Sequence, residues 1–203
     1  MARFTLVLTL LLSLVLAFVS APSCQAAPAE SVGLTQDQDK VRLAFRNASG
    51  NGPNVAQLQS DFLSVINTKQ NPKFASPVLF SVAHARIASA LSRIVRVSTK
   101  DDFEIRHEVE AKAILNEFNP HPYNDLADVL TGDEVKTTVE KSNDKTLARA
   151  IALQFTALQV LWANAYVAFS SETVGKKEAQ DSFNNRYYAI QDSLTKIINI
   201  YNK

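Results

Sequence analysis

The longest helical pattern in the chain covers residues 145–170 and is apolar on two opposite sides. Leu153, Val160 and Val167 follow one side of this pattern. The other side is a seam of Leu147, Ile151, Phe155, Leu158, Trp162, Ala165 and Phe169. A helix that is apolar all round is stable in water only when other elements surround it. The pattern therefore predicts a buried central helix, and the side-chain amides within it favour that interpretation over a membrane span.

The remaining periodicity is also helical, and no stretch shows the sustained alternation of a strand. Capping residues and prolines set the predicted limits, for example a start at Ser76-Pro77 and a stop at 119–122. Further helices are predicted over residues 36–46, 54–68, 77–98, 101–118, 123–130, 131–141 and 176–201. We therefore predict an all-α fold, a single antiparallel bundle of five or six helices around the helix at 145–170.

The amino-terminal stretch is typical of a secretory signal peptide. Arg3 precedes an apolar run over residues 4–19, and small residues lead to a cleavage position after Ala26. A retained membrane anchor and a lipoprotein signal with Cys24 as the lipidated residue are the alternatives. We predict that residues 1–26 are removed and that the protein is extracellular. Because Cys24 is the only cysteine, the secreted chain would be cysteine-free, and packing alone would stabilise it.

The chain behind the signal divides into two predicted parts. Residues 27–53 are expected to form a flexible leader with a possible short helix capped by Thr35, and residues 54–203 to form the helical bundle domain. The leader contains the sequon Asn47-Ala-Ser49. We predict glycosylation of Asn47, with chance occurrence of a three-residue pattern as the alternative.

Charge excludes two classes of partner. The chain has 21 basic and 20 acidic residues, and removal of Arg3 with the signal balances them. A neutral chain has no net field that would attract a nucleic acid or an anionic membrane. The sequence therefore predicts no nucleic-acid partner, and the interpretation of residues 145–170 as a buried helix predicts no stable membrane span after signal cleavage.

Catalytic and cofactor motifs are missing from the sequence. It has no Gly-x-Ser-x-Gly elbow, no Gly-rich phosphate loop and no Cys-His zinc spacing. Glu104 and His107 form one Glu-x-x-His pair, which on a helix could offer two metal ligands on one face, but no second pair accompanies it. We predict a protein that is not an enzyme and has no metal or cofactor, and a site at this pair is the alternative.

Two groups of residues are candidates for binding. The first is a basic stripe on the helix predicted at 77–98, formed by Arg86, Arg93, Arg96 and Lys100. Its alternative role is a solvated face paired with acidic residues of the next helix, namely Asp101, Asp102, Glu104 and Glu108. The second is a possible ligand pocket between helices, formed by Phe155, Trp162, Tyr166 and Tyr187. In helices such aromatic residues more often belong to the core.

These observations lead to a functional hypothesis. We expect a secreted, non-enzymatic helical-bundle protein that binds an extracellular protein or surface as an effector or interaction module. The alternative is an extracellular carrier of an apolar small molecule or lipid, housed in the aromatic pocket. An enzyme or metal protein that uses Glu104 and His107 is the third hypothesis.

Overall fold

The computed structural model describes residues 33–50, 52–68, 81–141 and 145–202. These residues contain helices and no strand, which confirms the predicted all-α helical bundle. Eight α-helices are present in them, as many as the helical segments predicted one by one and more than the five or six predicted for the bundle. They are α1 (Gln36–Ser49), α2 (Asn54–Thr68), α3 (Ser81–Ser98), α4 (Glu108–Leu115), α5 (His121–Thr131), α6 (Asp133–Lys141), α7 (Lys145–Ser170) and α8 (Lys177–Tyr201), with a 3₁₀ turn at Ser171–Thr173.

Helix α1 belongs to the packed core, although the sequence analysis places it in a flexible leader. Thr35 caps it through a capping box, in which the Gln38 backbone N–H donates to the Thr35 hydroxyl at 3.2 Å. Val41 and Phe45 are completely buried, and α1 packs against α3. The core therefore begins before the predicted boundary at residue 54. Charged residues on the outer face of α1 obscure its short apolar stripe in the sequence.

The predicted helix over 101–118 is largely wrong, because α4 covers only its middle. Phe103 and Ile105 are buried, but they belong to an irregular segment that precedes α4. The Glu110 carboxylate fixes the start of α4 by accepting from the backbone N–H groups of Arg106, at 2.8 Å, and His107, at 3.2 Å. An irregular segment can bury both Phe103 and Ile105, which are two residues apart, and the side chain of Glu110 caps α4. These two gains stabilise the observed structure more than a continuous helix over the segment would.

The core is centred on aromatic side chains from several helices. Phe45 of α1 lies 5.1 Å from Phe118, 5.0 Å from Phe169 and 5.7 Å from Phe183, measured between ring centroids. Trp162 of α7 stacks on Phe118 at 5.3 Å. Edge-to-face and stacked contacts of this kind add to the free energy gained from burial alone. The fold is thus stabilised where α1, α7 and α8 meet.

The end of α1 is fixed by a glycine. Gly50 follows the helix with φ of 101°, a left-handed conformation that L side chains rarely adopt. A Cβ atom there would lie 2.3 Å from Cγ of Pro122, at the start of α5. The close approach of these two segments therefore requires glycine. It brings α5 against the last turn of α1, where the Tyr123 hydroxyl donates to the carbonyl of Ala48 at 2.8 Å.

Helix α7 has the predicted limits but not the predicted surroundings. Its seam is buried from Ile151 to Phe169, with Phe155, Trp162 and Phe169 at 1% exposure or less. The opposite side is open, since Leu153 is 61% exposed, Val160 55% and Val167 67%. The expectation that other helices surround α7 is therefore wrong for this side among the described residues. The bundle packs against one face of α7 and leaves the other face in solvent.

Candidate binding surface

The predicted basic stripe lies on the outer surface of α3 and just beyond its end. Arg86, Arg93 and Arg96 are exposed. Lys100 instead pairs with Asp37 of α1, its Nζ lying 2.5 Å from a carboxylate oxygen. The hydrogen bond from Lys100, and a second from Lys40, lower the pKa of the Asp37 carboxyl below its ordinary value. Lys100 therefore links α1 to α3, and the arginines are the available part of the stripe.

The acidic residues proposed as partners of this stripe have other contacts or point into solvent. Glu104 pairs with Arg106 at 2.9 Å. The Glu108 carboxylate accepts from the backbone N–H of Ala179 at 2.6 Å, at the start of α8. Asp101 and Asp102 are exposed. Within the described ranges, no ion pair forms with Arg86, Arg93 or Arg96, so their guanidinium groups remain available.

Arg86 and Arg93 line an open groove that we call the arginine groove. It has a volume of about 660 Å³ and lies where α1 and the start of α2 meet α3. Asn47 and Asn54 contribute from the first two helices, and Ser89 lies between the arginines. The remaining lining is apolar or small, from Ala44, Val82, Ala85 and Ala90.

Hydrogen bonds between α1 and the start of α2 fix the positions of Asn47 and Asn54 in the groove. The Asn54 side-chain amide donates to the carbonyl of Asn47 at 2.9 Å, which ties the start of α2 to the last turn of α1. The Gly52 backbone N–H donates to the carbonyl of Arg46 at 2.9 Å. These bonds satisfy carbonyl groups that a helix end leaves unpaired. The two asparagines are consequently held on one side of the groove, opposite α3.

The chemistry of the arginine groove suits an acidic and partly apolar ligand. Arg86 and Arg93 are seven residues apart, about 10.5 Å along α3 at 1.5 Å per residue. Each guanidinium can hold a carboxylate through two parallel hydrogen bonds. Val82 is 53% exposed and offers apolar contact beside them. This spacing matches carboxylates carried on an extended or helical segment better than one small anion.

The four residues predicted as a ligand pocket are divided between the core and its edge. Phe155 and Trp162 are interior, and the Trp162 Nε1 donates to the Tyr123 hydroxyl at 3.1 Å. Tyr166 and Tyr187 are partly exposed and stack on each other at 4.0 Å. The Tyr166 hydroxyl donates to Asn184 Oδ1 at 2.9 Å. Trp162 is packed against the protein's own aromatic residues, Phe118 and Tyr123.

Glu104 and His107 do not share a helical face, because both precede α4. Both side chains are exposed, and the Glu104 carboxylate is bonded to Arg106. A search of the described residues finds no group of three or more histidine, cysteine or acidic residues that could hold a metal ion. The geometric premise of the metal hypothesis, two ligands one helical turn apart, is therefore not met at this pair.

The glycosylation sequon spans an exposed and a buried residue. Asn47 is exposed in the last turn of α1, at the arginine groove. Ser49 is completely buried, and its hydroxyl donates to the carbonyl of Phe45 at 2.6 Å, with the carbonyl of Glu117 at 3.1 Å as an alternative acceptor for the same proton. It also accepts from the backbone N–H of Asn119 at 3.1 Å. Ser49 thus joins α1 to the segment after α4, in addition to its place in the sequon.

The outer face of α7 is a second candidate surface. The sequence predicts that other helices cover it. We define the outer face as Leu153, Thr156, Ala157, Val160, Asn164 and Val167. Beside it, a groove of about 510 Å³ lies between α3 and α7, lined by residues that include Val95, Arg96 and Leu161. By length and composition alone, the segment of residues 148–173 could cross a membrane. Within it, 33% of the 18-residue stretch that meets this apolar criterion is buried. Sequence periodicity revealed the apolar character of this face, but not that it is open.

Comparisons with known proteins give no relative. The chain matches no protein-family model, no curated protein and no solved structure.

Proposed function

We propose that this chain is a secreted, non-enzymatic helical-bundle protein that binds an acidic segment of an extracellular protein in the arginine groove. The observation that carries the proposal is the pair Arg86 and Arg93, exposed, without an ion pair in the described part of the chain, and lining one groove. Arginines held without acidic partners are common at protein interfaces, because they form bidentate hydrogen bonds with carboxylates.

The proposed location rests on the amino-terminal sequence. The predicted signal peptide, residues 1–26, lies outside the described residues. Its charge, apolar run and small residues before Ala26 support export. An exposed Asn47 in a sequon is consistent with passage through a secretory pathway that glycosylates proteins.

The R86E/R93E variant is expected to lose binding of an acidic peptide. The probe is a fluorescein-labelled peptide of alternating glutamate and leucine, whose binding to the secreted chain is measured by fluorescence anisotropy. A hydrogen bond to a charged group contributes about 1.5–3 kcal/mol, so affinity should fall by about tenfold or more. Binding of the wild-type chain should also weaken as salt is added, because the contacts lie at the surface.

The matched control for this experiment is K141E/K177E. It makes the same change in net charge at exposed lysines on α6 and α8, away from the groove. We expect it to bind the acidic peptide as the wild-type chain does, and a peptide of alternating lysine and leucine to bind neither protein. Equal affinity of R86E/R93E and the wild-type chain would contradict the proposal, as would an equal loss in the control.

Export and glycosylation can be tested with two sequon variants. Expressed in secreting eukaryotic cells, the chain should appear in the medium without residues 1–26 and carry a glycan that N-glycosidase removes. N47Q should abolish the glycan and leave the free energy of unfolding nearly unchanged. S49A should abolish the glycan and lower that free energy by about 1–3 kcal/mol, because it removes a buried acceptor and donor. Intact mass and urea unfolding measure both effects.

Retention of the chain inside the cells, or an unprocessed amino terminus in the medium, would contradict the proposed export. An N47Q protein that unfolds as easily as S49A would instead show that the Asn47 side chain itself stabilises the fold. The two variants therefore separate the modification site from the buried hydroxyl two residues later.

A further inference from the structure

The outer face of α7 is uncharged over its whole length. Residues 150–171 contain no acidic or basic residue, on the buried side or on the exposed side. A solvent-facing helix surface normally carries charged side chains. Here Leu153, Val160 and Val167 are each more than half exposed. Contiguous exposed apolar surface of this kind marks a contact site on a soluble protein.

The large residues of this face form one straight stripe. Leu153, Val160 and Val167 follow each other at intervals of seven residues. Seven residues in an α-helix make almost two full turns, so each side chain lies within about 20° of the previous one. This is the spacing with which two helices pack along a common seam.

The stripe is symmetric about Val160, which points to a second copy of the chain as the occupant. A two-fold axis through Val160 would place Leu153 of one copy opposite Val167 of the other. The same axis pairs polar Thr156 with polar Asn164, both exposed. A dimer with this symmetry uses one self-complementary surface twice, as most homodimers do.

The charges at the two ends of the face select the antiparallel arrangement. Arg149 precedes the uncharged run, and Glu172 follows it in the 3₁₀ turn. Neither forms an ion pair with a described residue. An antiparallel pair of α7 helices brings Arg149 of one copy near Glu172 of the other at both ends. A parallel pair would place like charges side by side, and complementary charges are the usual determinant of pairing direction.

We propose that the protein forms a homodimer through the outer face of α7, with the two α7 helices antiparallel and crossing at Val160. This inference is independent of the arginine groove, which lies between α1, α2 and α3. The dimer would cover the apolar stripe that the bundle leaves in solvent, and it would place one arginine groove on each subunit.

Sedimentation velocity of the secreted chain tests the association. The wild-type chain is expected to sediment as a dimer at concentrations of about 10–100 μM, which lie above a dissociation constant of about 1–10 μM. V160E should be monomeric, because it places two carboxylates against each other on the axis. V109E is the matched control: Val109 on α4 is 54% exposed, and the variant should remain dimeric. Circular dichroism should show both variants folded.

Cysteine cross-linking tests the direction of the helices. In a C24S background, V160C should form an intermolecular disulfide under mild oxidation. L153C should not cross-link to itself in an antiparallel dimer, because the two positions are about 21 Å apart along the axis. A mixture of L153C and V167C should form the heterodimeric disulfide. Self-linking of L153C would show a parallel pair and overturn the proposed arrangement.

Two further outcomes would overturn the proposal. A wild-type chain that stays monomeric at about 100 μM would show that the face does not self-associate. Flotation of the wild-type chain with phosphatidylcholine vesicles, lost in V160E but kept in V109E, would assign the face to a membrane surface instead. Neither outcome alters the acidic-peptide experiment, so the two proposals can fail separately.

Discussion

Replacement of Phe45 by alanine is expected to lower the free energy of unfolding by about 3–5 kcal/mol, the cost of a large cavity in a well-packed core. Phe45 is completely buried, and three aromatic rings surround it at centroid distances from 5.0 to 5.7 Å. Urea unfolding followed by circular dichroism measures the change as a lower midpoint with an unchanged slope.

The matched variant F45L keeps most of the apolar volume and is expected to cost less than F45A. The effect should be large because the sequence has a single cysteine, so no disulfide within the chain can limit its unfolded state. Domains of this size are stable by about 5–15 kcal/mol, so the loss is a considerable part of the total. A change below about 1 kcal/mol in F45A would show that α1 is not part of the core.

The helices that the sequence predicts well are those with both a continuous apolar stripe and clear end signals. For α2, α7 and α8, the predicted limits agree with the structure within one residue. Apolar side chains of α8 are buried from one end of the helix to the other, namely Ala179, Phe183, Ile190, Leu194, Ile197 and Tyr201. Periodicity and capping are local properties, which is why they can be read from one sequence.

The errors arise where contacts between distant segments decide the local structure. Phe103 and Ile105 belong to a segment predicted as helical, yet both are buried in irregular chain before α4. The Gln38 side chain of α1 donates to the carbonyl of Glu104 at 2.8 Å, a bond across 66 residues. No local pattern contains that information. The same holds for α1 itself, whose core role depends on its packing against α3.

In the candidate surfaces too, local sequence patterns predict one part, and contacts between distant segments determine the rest. The basic stripe on α3 was predicted from helical spacing, but the arginine groove requires Asn47 and Asn54 from two other helices. For α7, composition predicted that both sides would be covered. The structure shows which side the bundle covers, and the proposed dimer supplies a cover for the other. Apolar composition indicates that a face is buried, but it does not say whether the same chain or another copy buries it.

Stability is expected to fall steeply in alkaline solution because two tyrosine hydroxyls are buried. The Tyr123 hydroxyl donates to Ala48, and the Tyr201 hydroxyl donates to the carbonyl of Leu130 at 2.6 Å. Burial raises the pKa of Tyr123 well above its ordinary value, and burial, with the nearby charge of Glu140, raises the pKa of Tyr201 to about 12. Both groups therefore remain neutral in the folded chain at pH values where they ionise in the unfolded chain.

The direction of the effect follows from this difference. Below about pH 10 both states keep the tyrosine protons, and the full stability is present. As the pH rises from about 10 towards 12, the unfolded chain loses protons that the folded chain retains. Each such tyrosine then lowers the free energy of unfolding by about 1.4 kcal/mol per pH unit. Urea midpoints measured from pH 8 to pH 12 should be flat at first and then decline.

Two variants assign the decline to buried hydroxyls. Y201F should be less stable at neutral pH, because the carbonyl of Leu130 loses its donor. Its free energy of unfolding should fall less steeply above about pH 10, because one buried tyrosine fewer ionises on unfolding. Y188F removes a hydroxyl that is not buried, since Tyr188 is 56% exposed, and is the comparison for the loss of one tyrosine at the surface. Tyrosinate absorbance near 295 nm should rise together with unfolding in the wild-type chain. Equal slopes in Y201F and Y188F would mean that lysine deprotonation, rather than Tyr201, limits alkaline stability.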